Sequence, residues 1–314
     1  MIEAKNLSKW YGAKRAVNDI TFSVEKGEVL GFLGPNGAGK STTMRMITGY
    51  LRIDGGSISI GGHDIEENPL AAKAVMGYLP ENAPLYDDMT VSGFLHYMAK
   101  LRGLPDRHGK VGEAIETCFL EKVAGQPIHT LSKGYRHRTC FAQSILHDPD
   151  VLVMDEPTDG LDPNQKYEVR NLIKRMGERK AIIISTHILE EVDAVCSRVI
   201  IVNNGELVAN ELPADLKQRS PLHGTVTIAI AGKGFAEISD RLNDVSEVSK
   251  VLCMSEENGL CRVRAFPTAD TSDLSAKIQD AISRSGWKIS ELHTEEGRLD
   301  DVFRSITTSE GQAK

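Results

Sequence analysis

The sequence predicts an α/β fold followed by a smaller α+β domain, and three patterns carry that expectation. The runs EVLGFL (28–33), VLVMD (151–155), AIIIS (181–185) and RVIIVN (198–203) are continuously apolar. Strands covered on both faces read this way, which points to a central, largely parallel sheet flanked by helices. Between about 88 and 147 the strand signal gives way to helical periodicity, as in VSGFLHYMAKLRGL and KVGEAIETCFLEKV. After ELPADLKQRSPLHG, strand-like alternation restarts at TVTIAIAG.

Taken in order, IEAKNL and SISIGG look like pieces of an antiparallel edge sheet. EVLGFL leads into a glycine-rich stretch, and the amphipathic TTMRMITGYL after it ends in a glycine stop. The segment of about 84–147 reads as an all-helical insertion in the α/β core. Beyond Pro213 and Pro221, which mark a boundary near 213–222, TVTIAIAG is a strand and FAEISDRL a helix. VSKVLCMS and LCRVRAF are strands joined by EENG, then come the helix LSAKIQDAISRSG, the strand WKISELH and the helix RLDDVFRSI. That β-α-β-β-α-β order is the ferredoxin-like split unit. The expected domains are therefore 1–212 and 222–314.

At 314 residues, 40% hydrophobic and 26% charged, the composition is that of an ordinary globular protein. A formal net charge of −7 argues against a dedicated nucleic-acid binder, which usually presents a strongly basic surface. Five cysteines (118, 140, 196, 253, 261) form no C-x-x-C pair, which suggests reduced thiols in the cytoplasm. The start MIEAKNLSKWYG does not read as a signal peptide, and the apolar runs fall far short of the ~18–20 residues that span a bilayer. Any membrane-spanning would then fall to another chain.

Residues 34–42, GPNGAGKST, match G-x-x-x-x-G-K-[ST] between a strand and a helix. Gly34, Gly37 and Gly39 let the backbone curl into a nest of N–H donors around a β-phosphate. Lys40 would add charge at the β- and γ-phosphates, Ser41 would ligate Mg²⁺, and Thr42 lies where a helix N-terminus favours an anion. An ordinary glycine-rich turn would not need the flanking strand and helix. VLVMDEP sets Asp155 and Glu156 at a strand's C-terminal end, where crevices open in such sheets. Asp155 is placed to hold Mg²⁺ through water and Glu156 to polarise a water for attack on a γ-phosphate. The bland alternative is two acids that merely end a strand.

Over residues 2–212 the motifs, in this order, resemble the ATP-binding-cassette (ABC) ATPases, which implies a P-loop NTPase core with an antiparallel β subdomain and a helical insertion. Gly34, Pro35, Asn36, Gly37, Ala38, Gly39, Lys40, Ser41 and Thr42 match the Walker A loop, and Val151 to Glu156 match Walker B with the catalytic glutamate. Tyr11 matches the aromatic residue that stacks on adenine, with Trp10 as the alternative. Asp162 in GLDP resembles the D-loop aspartate facing a partner subunit, and His187 in STH resembles the switch histidine at the γ-phosphate. LSKGYRHR (131–138) falls where the family carries its signature. Leu131, Ser132 and Gly134 are kept, while Lys133 and Tyr135 replace glycine and glutamine. The family usually has glutamine where Glu81 stands, a position that senses Mg²⁺ and the attacking water.

Glu81, the LSKGY signature and DGLDPNQ together look most like ATPases of type-2 exporters, closest to those linked to gliding motility and related export. The resemblance implies ATP and Mg²⁺ as cofactors, with Glu156, His187 and Lys40 catalytic and Ser41, Asp155 and Glu81 on the metal. It implies a second copy of the chain, whose Ser132 and Gly134 reach the nucleotide, and a polytopic membrane permease docking near 84–100. No nucleic-acid partner is expected, and the location implied is cytoplasmic, peripheral on the inner face of the cell membrane. The competing reading is a soluble ATPase of the same superfamily without a transporter.

Overall fold

In the computed structural model, which describes residues 1–268 and 273–308, the chain opens with a long hairpin, β1 (Ile2–Tyr11) and β2 (Lys14–Val24). Strand β3 (Val29–Leu33) then enters the centre of the molecule and feeds helix α1 (Lys40–Ile47). Next come β4 (Gly55–Ile60), β5 (His63–Asp64), α2 (Pro69–Ala74) and β6 (Met76–Leu79). Three helices follow, α3 (Val91–Leu101), α4 (Arg107–Thr117) and α5 (Lys133–Ile145). The chain returns through β7 (Val151–Asp155), α6 (Pro163–Gly177), β8 (Ala181–Thr186), α7 (Leu189–Val195), β9 (Arg198–Asn203) and β10 (Glu206–Glu211).

These strands make an antiparallel sheet of order β2-β1-β4-β5 and a six-stranded sheet of order β10-β9-β3-β8-β7-β6. In the second, β9, β3, β8, β7 and β6 run parallel and β10 turns back antiparallel. Every residue of β3, β7 and β8 is buried. Leu152, Met154, Ile182 and Ile184 pack with Phe94, Leu95 and Phe141 of the helical segment. Their neighbours Val151, Val153 and Ile183 pack with Phe22, Met44 and Ile58 on the other face. Period-2 alternation between two cores is why these strands read as unbroken apolar runs. The edge strands carry weaker signals: β6 is only MGYL, and β10 is ELVANE.

The described chain divides into two compact units, residues 1–213 and 214–314, with the short α8 (Pro213–Gln218) at the division. The second unit contains β11 (Val226–Ala231), α9 (Phe235–Asn243), β12 (Val248–Glu257), β13 (Leu260–Pro267), α10 (Leu274–Arg284), β14 (Ile289–Thr294) and α11 (Leu299–Thr308). Its sheet has the order β12-β13-β11-β14 with antiparallel neighbours, the ferredoxin-like arrangement. Ile228, Val263, Ile238 and Ile278 form its core. Residues 269–272 and 309–314, which fall in the expected second domain, lie outside the described residues.

Candidate nucleotide-binding site

The phosphate loop is shaped by what lies beneath it. Gly37 (φ 81°) and Gly39 (φ 108°) take left-handed conformations, and Gly39 caps α1. A side chain at Gly34 would collide with the Val202 carbonyl, and a Cβ at Gly39 would lie 2.6 Å from the Ala16 carbonyl oxygen. The β9–β10 turn supports the loop from below, Gly205 N–H donating to Ala38 O at 2.9 Å. Lys40 is folded back onto the loop: its Nζ donates to Gly34 O at 2.6 Å and Pro35 O at 3.3 Å. Burial pulls its pKa down, opposed by Glu156, Asp155 and Glu81. Among the described residues the ammonium's acceptors are these neutral carbonyls, which an anionic phosphate can replace with a stronger charge-assisted bond.

Asp155 ends β7, is 2% exposed, and accepts a hydrogen bond from Ser185 on β8. Ser41 Oγ donates to its Oδ1 at 3.4 Å. Glu156, the next residue, has φ 51°, and its N–H donates to Ser185 O at 3.0 Å. A left-handed non-glycine residue costs on the order of 1–3 kcal/mol. Here it breaks the strand's alternation and turns both acids to one site. Glu156 Oε1 lies 2.8 Å from His187 Nδ1, just past β8. Burial raises the Glu156 carboxyl, with His187 and Lys40 acting against the shift. Ser41 and Asp155 offer only oxygen donors, and Glu81 joins them in the field around Lys40. That hard donor set fits Mg²⁺.

The cavity above the loop is lined by Tyr11, Lys14, Ala16, Asn36, Gly37, Gly39, Lys40, Ser41, Thr42, Glu81 and Glu156. Tyr11 lines it and Trp10 does not; the Trp10 ring carries the Arg15 guanidinium 4.7 Å from its centroid. Lys14 and Ala16 were not singled out by sequence reasoning. The signal available was the Gly12-Ala13 turn (Gly12 φ 58°), which pairs Tyr11 with Lys14 across the hairpin.

Gly34, Pro35, Ala38, Asp155 and His187 do not line this cavity themselves but are bonded to the loop, to Ser41 or to Glu156. Three other expected site residues lie elsewhere. Ser132, Gly134 and Asp162 are absent from this cavity's lining. Ser132 is the N-cap of α5, its Oγ accepting from Tyr135 N–H at 3.4 Å. Gly134 is buried, and a Cβ there would lie 2.6 Å from Gln165 Oε1, the end of a side chain that would have to shift. Asp162 caps α6, accepting from Gln165 N–H at 2.9 Å. The basic side chains of KGYRHR are occupied within the chain: Lys133 pairs with Asp159 at 2.7 Å and Arg136 with Asp87 at 2.7 Å. Arg138 stacks on Tyr135, 4.4 Å from the ring centroid, and His137 is buried.

A buried carboxylate links the parts. Glu191 on α7, 3% exposed, accepts from Thr158 in the loop after Glu156 and from Thr186 at the end of β8. The Arg170 guanidinium of α6 lies 3.8 Å away. Sequence reasoning missed Glu191 because LEEVDAV reads as a helix start with two solvated acids.

A phosphate loop, a buried aspartate and a glutamate–histidine pair, set at the C-terminal ends of neighbouring parallel strands, define a P-loop nucleoside triphosphatase. The ABC transporter family profile matches residues 17–159. Linearmycin resistance ATP-binding protein LnrL of Bacillus subtilis (strain 168) is 37% identical over 240 residues, covering 76% of each chain. Nod factor export ATP-binding protein I of Burkholderia orbicola (strain AU 1054) is 33% identical over 99% of this chain and 98% of its own. A solved structure titled as the ATP-binding subunit of an ABC transporter superposes with a TM-score of 0.65 at 29% identity, covering 70% of this chain and 92% of the other. The chain belongs to the ABC transporter family as an ATP-binding, ATP-hydrolysing subunit. Among the described residues no helix is long and apolar enough to cross a membrane.

Proposed function

We propose that two copies of this chain close head to tail around two Mg-ATP and so power a membrane exporter. The observation that carries this reading is the division of the site. The cavity holds Lys40, Ser41, Glu81 and Glu156, with Asp155 bonded to Ser41 and His187 to Glu156, while Ser132 and Asp162 lie outside it and bond to their own helix starts. Each copy then holds two incomplete halves, and ATP joins a Walker half to a partner's signature half.

In this reading Tyr11 stacks on adenine and the loop N–H groups of residues 34–42 cradle the β-phosphate. Lys40 leaves Gly34 O for the β- and γ-phosphate oxygens. Ser41, Asp155 and Glu81 would hold Mg²⁺, which would supply positive charge against the phosphates. Glu156 accepts a proton from the attacking water, and its raised pKa suits a group that must take one. His187 orients that carboxylate through Nδ1 and steadies the γ-phosphate with its ring. On the partner's nucleotide, Ser132 has an O–H to donate, since its lone pair already accepts from Tyr135 N–H. The loss of the shared γ-phosphate then lets the dimer open.

The names of the relatives, linearmycin resistance and Nod factor export, support an exporter. A cavity of about 660 Å³ beside Glu81, reached by Tyr50, Tyr78, Pro84 and Arg102, suits a cytoplasmic helix of a polytopic permease. That contact would place the chain on the inner face of the cell membrane. The 222–314 domain is read as an accessory element that stabilises the dimer.

The test is complementation. A Lys40→Ala chain and a Ser132→Arg chain should each be inactive, and mixing them should restore ATPase activity, because one site of the mixed dimer has both intact halves. No recovery on mixing, with both chains folded and the Ser132→Arg chain still binding ATP, sinks the two-chain site. Purification from membranes should bring down a polytopic partner; a purely soluble complex would favour an ATPase without a transporter.

A further inference from the structure

The second unit gathers two thiols and a carboxylate at a spot that the nucleotide chemistry does not use. Among the described residues, strand β12 is an edge strand hydrogen-bonded to β13 alone. Cys253 pairs with Val263 and Glu256 with Cys261, with a register shift between Cys253 and Ser255. Residues three apart on a regular strand point to opposite faces. The extra residue at that shift, Met254, brings Cys253 and Glu256 to one face, above Cys261. The two Sγ atoms and a Glu256 carboxylate oxygen all lie within 4.8 Å of one another.

The three groups differ in depth. Cys261 is fully buried beneath the hairpin, while Cys253 and Glu256 are exposed. Glu256 Oε2 accepts from Phe235 N–H at the start of α9, at 3.4 Å, which orients the carboxylate from outside as outer-shell partners orient metal ligands. The Cys261 thiol is pushed up to about 11 by burial and by Cys253 and Glu256 beside it.

We propose that Cys253, Cys261 and Glu256 form a site for a thiophilic divalent cation of the zinc type, with a fourth position open to water on the exposed side. Zn²⁺ takes thiolate sulfur at about 2.3 Å and carboxylate oxygen at about 2.0–2.2 Å in tetrahedral sites. Two such bonds place the sulfurs under ~4 Å apart, within reach of small rotamer shifts here. Mg²⁺ prefers all-oxygen donors, so the two units would sort their metals by ligand type. As each metal–sulfur bond forms, the thiol loses its proton to solvent, and no electron is transferred. The bound ion would tie the edge strand β12 to β13 and, through Glu256, to the start of α9.

The experiment uses the full chain, reduced and chelator-stripped, in excess Mg²⁺ to occupy the carboxylate site. Zinc is titrated calorimetrically in two buffers of different protonation enthalpy, and Co²⁺ serves as the optical probe. The expected result is one zinc per chain at micromolar affinity or tighter, release of about two protons, and a thiolate-to-cobalt charge-transfer band. Cys253→Ser, an exposed change, should weaken binding by at least ~100-fold, and Glu256→Gln by ~10–100-fold. An unchanged far-UV circular dichroism spectrum of both zinc-free variants will confirm that they fold. Zinc should raise the thermal midpoint of the wild-type chain and not that of Cys253→Ser. Absence of zinc binding, binding that survives Cys253→Ser, or a cobalt spectrum without the thiolate band overturns the site. So does a reduced chain that closes a Cys253–Cys261 disulfide in air but has no affinity for zinc.

Discussion

Glu156 is held in an unfavourable state twice over, by its left-handed backbone and by burial of its carboxylate. A carboxyl whose pKa rises on folding binds its proton more tightly in the folded protein. Its favourable contribution is therefore present at low pH and lost as pH rises through the folded value. Glu156→Gln should then raise the thermal midpoint of the nucleotide-free protein at pH 7, with the gap from wild type closing as pH falls toward the ordinary 4.5. The same variant should bind ATP, lose turnover and accumulate as a dimer by light scattering. A midpoint that falls at pH 7 would show that the charged carboxylate stabilises the fold. Lys133 lies at the other extreme. Its pair with Asp159 joins side chains 66% and 46% exposed, and such pairs are worth about 0–1 kcal/mol. Lys133→Ala should leave ATP affinity within about twofold and stability within ~1 kcal/mol. A larger loss of nucleotide affinity would mean that this lysine reaches a phosphate. DEP in the sequence announced Glu156 as an acid at a strand end. Its φ could not be read there, because it depends on the Ser185 carbonyl of a strand thirty residues on.

At the scale of elements, each functional loop is anchored by a helix cap or a buried polar contact. The sequence singled out Ser132 and Asp162 only by their resemblance to family motifs, and in the structure both are helix caps. Glu191 was not legible. Glu190 and Glu191 look alike in the sequence, yet only the second lies under the loop after Glu156, where it receives Thr158 and Thr186. Deleting a buried charged acceptor strands its donors and leaves Arg170 without its carboxylate, a loss of about 3–5 kcal/mol. Glu191→Ala should thus lower the midpoint of urea unfolding and reduce kcat far more than ATP affinity, since Glu191 lies outside the nucleotide cavity. Glu191→Gln, which keeps one acceptor oxygen, should recover part of both. Equal losses of affinity and turnover would assign Glu191 to general folding rather than to holding the loop. The helical segment was read from periodicity alone and is present as α3, α4 and α5, because Phe94, Leu95 and Phe141 meet one core.

Across the whole molecule, continuous apolar strands gave away the parallel sheet, but not the strand order. That β8 separates β3 from β7 follows from crossover connections, which leave no mark in any single strand. The same packing has a cost in acid. His137 on α5 is 4% exposed and is pushed down to about 4 by burial, and burial likewise pushes His147 down to about 4. Both start from an ordinary value of 6.5, so the unfolded chain takes up these protons first as pH falls. The stability they contribute is complete above pH 6.5 and drains away between there and about pH 4. A shift of this size at His137 corresponds to on the order of 3 kcal/mol. Paired carboxylates such as Asp148 and Asp159 have pKa values below 3.8, so their stabilisation is lost only at lower pH. Thermal midpoints should therefore start to fall just below pH 6.5, with up to about two extra protons bound by the unfolded state near pH 5. His137→Leu should remove about half of that slope, because a leucine buried on α5 has no proton to gain. A midpoint that stays flat from pH 6.5 to 5, or a slope that persists unchanged in His137→Leu, would show that these histidines are solvated enough to charge in place.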